Sequence, residues 1–292
     1  MNFEEIKKIK GELSFTEVFK NDSSNISNHF NTHRYRQLIE GNIKSPSLEM
    51  LLNFGKFNLS DFKTLDYFNK QGLAIKELAI GSFGEVNSDN NIALDKNVKL
   101  RSNFDKILNH RKSYRDYINK PLSLNLFKRS LKPLVNTKNK ENIIGLNINH
   151  RAYASGGGLY PITAFLLVLN VNNVQRGWYE VQPYLKNLRY LNKLDVDVNT
   201  LISGHNIDVS HASYIIFYCF NFSKSYPKYG ETATALGLIE IGEMAELVDL
   251  TVTSLGLGNC QVAGFDRNLI AKKLNIDNVS NHLLHSQIVG VI

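Results

Sequence analysis

Residues 151–161 form the stretch whose composition most strongly suggests ligand binding, and their sequence is RAYASGGGLYP. Three consecutive glycines can adopt backbone torsions closed to other residues, which lets a flat ligand approach the main chain closely. Ser155 contributes a hydroxyl that can donate or accept a hydrogen bond, and Arg151 contributes a fixed cationic fork. A plain tight turn between two elements explains the pattern at least as well, so both interpretations stay open at this point.

A second group of residues places three cations and a hydroxyl within five positions. Residues 109–115 have the sequence NHRKSYR, and the side chains concerned are Arg111, Lys112, Ser113 and Arg115. Arginine binds phosphates and the electron-rich edges of rings bidentately, so the cluster suits a phosphorylated heterocycle. A solvated run of charge is the usual explanation for such a cluster, and taken alone it is favoured here.

Lys228 and Tyr229 are a third candidate, as an adjacent pair of side chains able to move protons. Lysine and tyrosine ordinarily have pKa values near 10, so a base of either kind needs a lowered pKa near neutral pH. Residues 225–230, SYPKYG, predict a loop because they contain Pro227 and Gly230. From the residues alone, an exposed loop lysine beside an aromatic anchor is the favoured interpretation.

Other catalytic patterns are missing from the sequence. There is no Gly-x-Ser-x-Gly elbow, no phosphate-binding loop and no Gly-x-Gly-x-x-Gly after a strand, which argues against a hydrolase, ATP and a dinucleotide fold. His282 and His285 are three residues apart and could share one helical face, but no nearby carboxylate or cysteine completes a metal site. Cys219 and Cys260 are the only cysteines, which excludes a disulfide framework. We therefore expect no metal.

The overall composition indicates an ordinary globular protein, with 43% hydrophobic and 21% charged residues. The net charge of +7 suggests affinity for anionic groups on a ligand, but the basic residues are scattered and not interleaved with aromatics. No stretch approaches the ~18 apolar residues of a membrane helix, and the N-terminus lacks the apolar core of a signal peptide. These observations predict a cytoplasmic protein without nucleic-acid or membrane partners.

The chain divides into two regions by pattern. Residues 1–100 contain short helix-like segments, one starting at residues 45–47, and a turn-rich connector at residues 80–91. They predict a small helical N-terminal region, for which partner docking and a structural cap are about equally supported. Residues 101–292 alternate strand-like and helix-like segments and predict an α+β or α/β domain.

Several elements of the second region are specific enough to be tested. Strands are predicted at residues 165–169, 212–220 and 286–292, a hairpin at 177–185, and a glycine-bearing loop at 259–266. Ser123 and Asp266 are predicted helix N-caps. A long helix is predicted from 232 to 255, ended by Gly256. Its predicted apolar stripe consists of Leu236, Ile239, Leu247, Leu250 and Ser254. Its small residues predict the close approach of another helix, which makes it a candidate for a subunit interface, and they are Ala233, Ala235, Gly237, Gly242 and Ala245.

Taken together, these segments resemble the nitroreductase superfamily of flavin enzymes. More narrowly, they resemble the streptolysin- and microcin-type (SagB-type) azoline dehydrogenases of thiazole/oxazole-modified peptide pathways. RKSYR at 111–115 resembles the family's Arg-Arg/His-Ser-x-Arg/Lys flavin motif, and ASGGGLYP at 154–161 resembles Pro-Ser-Gly-Gly-(Gly/Ala)-Leu-Tyr-Pro. KYG at 228–230 falls where this subgroup carries a Lys-Tyr pair. The match covers roughly residues 105–290.

The resemblance implies an α+β nitroreductase-like fold, a central and mostly antiparallel sheet flanked by helices, with FMN bound at a homodimer interface. It implies that Arg111, Lys112 and Ser113 hold the phosphate and ribityl chain and that Arg115 contacts the pyrimidine edge of the flavin. Lys228 and Tyr229 are the implied proton-handling residues. The implied flavin-lining residues are Ser155, Gly156, Gly157 and Gly158, from either subunit, with Val262, Ala263 and Gly264 on the opposite side.

The reaction that the resemblance implies is the oxidation of a thiazoline or oxazoline within a ribosomally made peptide to the aromatic azole. Its implied partners are the precursor peptide and cyclodehydratase subunits. One alternative is a general NAD(P)H-dependent flavin reductase of nitro compounds or quinones, and another is a flavin-less docking subunit. The chain departs from the family pattern at Ala154, where proline is common. It also lacks the C-terminal basic residues that bind phosphate in many nitroreductases, a role for which Lys272, Lys273 or Arg267 are candidates.

Overall fold

A six-stranded antiparallel sheet forms the centre of the protein. The structure is a computed structural model that describes residues 45–54, 103–135, 140–143, 146–203 and 206–292. The order of strands across the sheet is β5-β4-β3-β6-β8-β7, and every neighbouring pair is antiparallel. The strands are β3 (Ile162–Val168), β4 (Gly177–Gln182), β5 (Asn187–Lys193), β6 (Tyr214–Asn221), β7 (Leu257–Val262) and β8 (Asn281–Val291), while β1 (Lys140–Ile143) and β2 (Leu146–Asn149) form a separate pair.

Helices flank this sheet, as expected for the predicted α+β class. The helices of the described ranges are α1 (Pro46–Phe54), α2 (Phe104–His110), α3 (Leu124–Ser130), α4 (Phe222–Tyr229), α5 (Thr232–Ser254) and α6 (Arg267–Leu274). Short 3-10 turns occur at Lys132–Leu134, Gly156–Gly158 and Val198–Thr200. None of the helices in this part of the chain is long and apolar enough to cross a membrane.

Strand β6 lies at the middle of the sheet and is buried along its whole length. Its alternate side chains enter two separate hydrophobic cores, one on each face, as the two-residue period of a strand requires. This confirms the prediction of a strand buried on both faces. One core receives Tyr214, Ile216, Tyr218 and Phe220, and the other receives Ile215, Phe217 and Cys219.

Helix α5 packs on the sheet through its small residues. A Cβ atom on Gly237 would lie 2.6 Å from the ring of Phe220, so the helix backbone contacts the sheet directly. The close packing predicted for the small residues is confirmed at Gly237, against the sheet instead of a helix. The predicted apolar stripe is correct only in part, because Leu247 packs against the core whereas Ile239 is 58% exposed and Leu236 is half-buried. The stripe was predicted from hydrophobicity. Helix α5, however, approaches the aromatic residues of β6 closely, and only the face with the smallest side chains can do so.

Most predicted element ends are confirmed. Ser123 accepts a hydrogen bond from the Leu126 N–H, Asp266 accepts one from the Leu269 N–H, and Gly256 ends α5 with a φ of +69°. The hairpin at 177–185 is confirmed as β4 and β5. Two expectations were wrong, because residues 259–262 lie in β7 instead of a loop, and His282 and His285 lie on β8 instead of a helix.

The helix predicted to start at residues 45–47 is confirmed as α1. Its N-terminus binds the side chain of Glu231, which accepts hydrogen bonds of 3.0 Å from the Ser45 hydroxyl and from the Ser47 N–H. Leu51 is 2% exposed and joins the core, so this helix packs against the second region. The other segments predicted within residues 1–100, including the connector at 80–91, lie outside the described residues.

Candidate functional site

The glycine-rich segment forms a 3-10 turn at Gly156–Gly158, immediately before β3. Gly157 and Gly158 have φ values of +58° and +67°, a region that strongly favours glycine. The Ser155 hydroxyl accepts the Tyr160 N–H at 2.8 Å and donates to the buried carboxyl of Glu240. The hydroxyl hydrogen of Ser155 is therefore used inside the chain, whereas Gly157 is exposed.

Lys228 and Tyr229 lie against this turn. A Cβ atom on Gly157 would be 2.2 Å from the Lys228 Nζ and 2.6 Å from the Tyr229 hydroxyl oxygen. The tyrosine ring also lies 3.4 Å from the corresponding position on Gly156. The structure thus brings together two segments that are about 70 residues apart in sequence. The turn and the two proton-carrying side chains form one surface, which we call the turn site.

The segment that carries this pair is a helix, so the predicted loop at residues 225–230 was wrong. Helix α4 includes Pro227, although an internal proline removes one helical hydrogen bond. The side chain of Asn221 caps the helix by accepting the Lys224 N–H at 2.9 Å. Phe222 and Tyr226 are buried one turn apart, and their rings are 4.7 Å from each other. Capping and burial offset the missing bond, which local turn chemistry could not reveal.

The basic cluster lies along β7. Ser113 pairs with Asn259, and the Tyr114 N–H donates to the Asn259 carbonyl at 2.8 Å. Arg111 lies 3.5 Å from the carboxylate of Asp249, while Lys112, Ser113 and Arg115 are exposed. The cluster is therefore a short strap with several side chains that are available to an anionic ligand, which we call the basic strap.

A series of buried polar side chains, hydrogen-bonded one to the next, lies behind the basic strap, and we call it the buried polar chain. The Tyr218 hydroxyl donates to Gln287, Gln287 donates to Asn259, and Asn259 donates to Asp249, over 2.7, 3.0 and 2.7 Å. These four residues are buried, and Asp249 faces Arg111. Sequence reasoning missed them, although polar residues inside apolar strand and helix segments were a usable signal.

Residues Val262, Ala263 and Gly264 follow at the end of the same strand, β7. Their carbonyls accept hydrogen bonds from the Ser286 hydroxyl, the Arg267 guanidinium and the Ser203 N–H, respectively. These three carbonyl oxygens could therefore accept a hydrogen bond from a ligand only through their second lone pairs. Arg267, which also donates to the Leu283 carbonyl, is committed to holding this segment.

The turn site and the basic strap contact different parts of α5. The turn contacts Glu240, the strap contacts Asp249, and nine helical residues separate the two by about 13 Å along the axis. Within one chain, the structure brings Lys228 and Tyr229 to the glycine turn. It does not bring the strap to them.

The family model for the nitroreductase family matches residues 108–291. The chain belongs to the nitroreductase family. This result agrees with the fold, since the matched range contains the whole central sheet, the basic strap and the turn site.

Two proteins with curated descriptions are similar to this chain in sequence. The chain is 31% identical over 133 residues to the microcin B17-processing protein McbC of Escherichia coli, covering 44% of this chain and 49% of that protein. It is 25% identical over 173 residues to a putative nitroreductase of Methanocaldococcus jannaschii, covering 58% of this chain and 83% of that protein. The chain thus aligns with about half the length of McbC.

Solved structures show the same fold. A chain of the Escherichia coli microcin synthetase McbBCD complex with truncated pro-MccB17 bound matches with a TM-score of 0.55 and 19% identity, over 100% of this chain and 98% of that one. A putative nitroreductase from Ralstonia eutropha gives a TM-score of 0.52 and 18% identity, over 71% of this chain and 86% of that one. At these identities the matches establish the fold.

The residues present in this nitroreductase domain fit a flat cofactor with a phosphate, such as FMN. Lys112, Ser113 and Arg115 offer exposed donors, and among the described residues, apart from its chain neighbours, no atom lies within 4 Å of a Cβ position on Gly158. The turn therefore leaves an open backbone face, and the strap supplies positive charge for an anion. Both are features that the family resemblance assigns to flavin binding.

Three charged residues lie behind the glycine turn, of which Glu240 is buried and Arg151 and Lys224 are half-buried. Arg151 donates to the Tyr153 hydroxyl at 2.6 Å, and Lys224 donates to the Tyr160 carbonyl at 3.1 Å. Burial raises the pKa of Glu240 to about 7, against the opposing effects of Ser155 and Arg151. Burial, together with the nearby Arg151, lowers the pKa of Lys224 to about 8. Sequence reasoning named only Arg151, as a ligand-binding fork, whereas it packs on Tyr160 with its guanidinium carbon 4.6 Å from the ring centroid.

The two histidines considered as metal ligands have other contacts. His282 contacts the Val279 carbonyl and His285 contacts the Gln261 side chain, both at 3.0 Å. Burial lowers the pKa of both imidazoles. Within the described ranges, no three His, Cys, Asp or Glu side chains are grouped so that they could hold a metal ion.

Proposed function

We propose that this nitroreductase-family protein is an FMN-dependent azoline dehydrogenase of the cytoplasm. Its substrates are thiazoline or oxazoline rings within a ribosomally made peptide, and its products are the corresponding thiazoles or oxazoles. The observation that carries the proposal is the contact between Gly157 and the side chains of Lys228 and Tyr229. The similarity to the microcin B17-processing protein supports it as well.

The proposed reaction removes a proton from the ring Cα and a hydride from the ring Cβ, which leaves an aromatic azole. When bound, FMN supplies the two-electron acceptor for the hydride. The Lys228 amine and the Tyr229 hydroxyl are the groups that receive and hold the proton, because both project onto the face of the turn where the ring is oriented. The two groups lie side by side at the turn, with the Lys228 Nζ 5.4 Å from the centroid of the Tyr229 ring.

The proposed FMN site combines the basic strap with the glycine turn. Arg111, Lys112 and Ser113 would hold the phosphate and ribityl chain, and Arg115 the pyrimidine edge. The proposed ring-lining residues are Ser155, Gly156, Gly157, Gly158, Val262, Ala263 and Gly264. The hydrogen bonds of Ser155 and of the carbonyls at 262–264 indicate that these residues contribute mainly shape, whereas the strap contributes charge.

We also propose that the protein is a homodimer. The strap and the turn site are about 13 Å apart along α5 within one chain, so one flavin could use the strap of one copy and the turn of the other. Leu238 and Ile239, on the outer face of α5, are 42% and 58% exposed. Apolar side chains of this kind are suited to burial in a subunit interface.

The proposed partners are the precursor peptide and cyclodehydratase subunits that form the azoline rings. The matched structure is a microcin synthetase complex with a truncated precursor bound, which supports an assembly of this kind. In this proposal residues 101–292 form the FMN-binding domain, and residues 1–100 are a docking region for partner or peptide. Helix α1, which binds Glu231 two residues after Tyr229, connects that region to the turn site.

The first test is the visible absorption spectrum of the purified protein, with mass analysis of what heating releases. A yellow protein that releases FMN supports the cofactor assignment. A synthetic peptide with one thiazoline ring is then added, and its mass is followed. Loss of two hydrogen atoms per ring in the wild type, and its abolition when Lys228 and Tyr229 are replaced together by Ala and Phe, is the expected result.

The same variant separates the two alternative functions. A general nitro or quinone reductase would consume NAD(P)H and would respond little to the double substitution, because its chemistry needs no base at this position. A flavin-less docking subunit would be colourless and would take up no added FMN. Either result contradicts the proposed function.

A further inference from the structure

Tyr160 adopts an unusual backbone conformation at the end of the glycine turn. Its φ is +49°, in the left-handed region that bulky side chains rarely occupy. Such a conformation persists only where the surrounding structure fixes it, and it is most frequent at functional sites. Tyr160 follows Gly157 by three residues, so its backbone sets the path of the turn that contacts Lys228 and Tyr229.

Both polar groups of the Tyr160 backbone have side-chain partners. Its N–H donates to the Ser155 hydroxyl at 2.8 Å, and its carbonyl accepts the Lys224 amine at 3.1 Å. The Ser155 hydroxyl in turn donates to Glu240 on α5. Two helices therefore hold the two peptide groups that flank the strained Tyr160 Cα, α4 through Lys224 and α5 through Glu240.

The Tyr160 side chain is held as well. Its hydroxyl accepts the Arg151 N–H at 3.2 Å, and its ring packs against the Arg151 guanidinium and, edge-on, against Tyr153. The Glu240 Oε1 and the Arg151 Nε are buried without a hydrogen-bond partner among the described residues. Buried polar atoms without partners destabilise a fold. Their retention beside a strained turn is typical of a site shaped for function.

We propose that Glu240 and Lys224 are positioning residues that lock Tyr160 in its left-handed conformation and so hold Gly157 beside Lys228 and Tyr229. The structural part of this proposal, which we call the lock, is that the two residues fix the conformation of Tyr160, and it rests on geometry alone. The effect of the lock on catalysis rests on the proposed function. Neither residue touches the reacting groups directly. Glu240 acts through the Ser155 hydroxyl, and Lys224 acts through the Tyr160 carbonyl.

The test compares Glu240→Leu and Lys224→Met, which remove the two contacts, with Glu240→Gln, which keeps an acceptor for Ser155. Amide hydrogen exchange is measured by mass spectrometry on the flavin-free protein, in a peptide that spans residues 155–161. We expect exchange there to become about 5- to 10-fold faster in the Leu and Met variants, as for loss of one hydrogen bond. Exchange in β6 is the internal reference for folding. Lys128→Met is the matched control on the exposed surface of α3.

The second readout is steady-state oxidation of the thiazoline peptide. The lock predicts a lower kcat in Glu240→Leu and Lys224→Met with little change in KM, and near wild-type values in Glu240→Gln. Unchanged exchange at 155–161 in folded variants would overturn the lock. If Glu240→Leu fails to fold, Lys224→Met and Ser155→Ala decide in its place. Faster exchange in a protein whose wild type leaves the thiazoline unchanged supports the lock and contradicts the proposed function instead.

Discussion

The Lys228 amine occupies the space that a side chain on Gly157 would need, since its Nζ is 2.2 Å from the ideal Cβ position. The absence of a side chain at residue 157 is therefore what allows the lysine and the tyrosine beside it to reach the backbone of the turn. Gly157 therefore sets the distance between the turn and the side chains of Lys228 and Tyr229.

Gly157→Ala is expected to displace the Lys228 and Tyr229 side chains and to lower azole formation at least about tenfold, because misplacing a reacting group by a fraction of an ångström is costly. The left-handed φ adds strain of about 1 kcal/mol. Gly256→Ala is the matched control, since its φ of +69° imposes similar strain while its Cβ would meet no atom of the described residues within 4 Å, away from the turn site. Equal losses in the two variants would show that strain, and not displacement, is responsible.

Asp249→Asn is expected to weaken the binding of FMN. The substitution keeps the shape of the carboxylate but removes the charge that orients Arg111 over 3.5 Å. Because Arg111 is partly exposed and solvent screens the pair, we expect a modest loss of about two- to tenfold in affinity, equivalent to about 0.5–1.4 kcal/mol. Fluorescence titration of flavin-free protein with FMN measures it.

Glu246→Gln is the control for this prediction. Glu246 is an exposed carboxylate one turn earlier on α5, near enough to interact with Arg111 through its charge. If it weakens FMN binding as much as Asp249→Asn does, general charge explains the effect, and orientation of Arg111 by the buried polar chain is not needed.

The raised pKa of Glu240 predicts that the stability of the protein depends on pH. Its pKa is raised by burial from 4.5 to about 7, so the native state holds a proton that the unfolded state has released between these values. The contribution of Glu240 to the unfolding free energy therefore falls as pH rises from about 4.5 to 7, by at most about 3 kcal/mol. The charged groups that face Glu240 are Arg151, Lys224 and Glu243.

Urea unfolding of the flavin-free wild type and of Glu240→Gln at pH 5 and pH 8 tests this dependence. The variant is expected to gain stability relative to the wild type on going from the lower to the higher pH. Glu243→Gln keeps Glu240 and removes only one charge that raises its pKa, so its relative gain should be smaller. A constant difference between Glu240→Gln and the wild type at both pH values would show that Glu240 titrates normally in the fold.

Gly237→Ala is expected to destabilise the protein by about 1–3 kcal/mol, since a methyl group would overlap the ring of Phe220 at 2.6 Å. Gly242→Ala lies on the same helix with no neighbour within 4 Å, and it is expected to stabilise the protein by up to about 1 kcal/mol through helix propensity. Opposite shifts in the thermal unfolding midpoint are the predicted result. A stabilising Gly237→Ala would contradict the close contact between α5 and β6.

Patterns that act over a few residues could be interpreted from the sequence. The buried strand at 212–220 and the N-caps Ser123 and Asp266 depend on local periodicity and local hydrogen bonds, and the structure confirms them. The order of the motifs along the sequence was sufficient to identify the family. The helical state of residues 222–229 was not predicted, because it depends on the burial of Phe222 and Tyr226 against distant strands.

The candidate site shows the same division. The sequence by itself determined which residue types are present: the cations of 111–115, the glycines that alone tolerate the φ values at 157 and 158, and the pair at 228 and 229. Only the tertiary structure decided that Lys228 touches Gly157, that Glu240 and Lys224 support the turn, and that Asp249 supports the strap. The physical reason is that burial and long-range hydrogen bonds arise from the packing of α4, α5 and the sheet, and no local pattern encodes the distance between them.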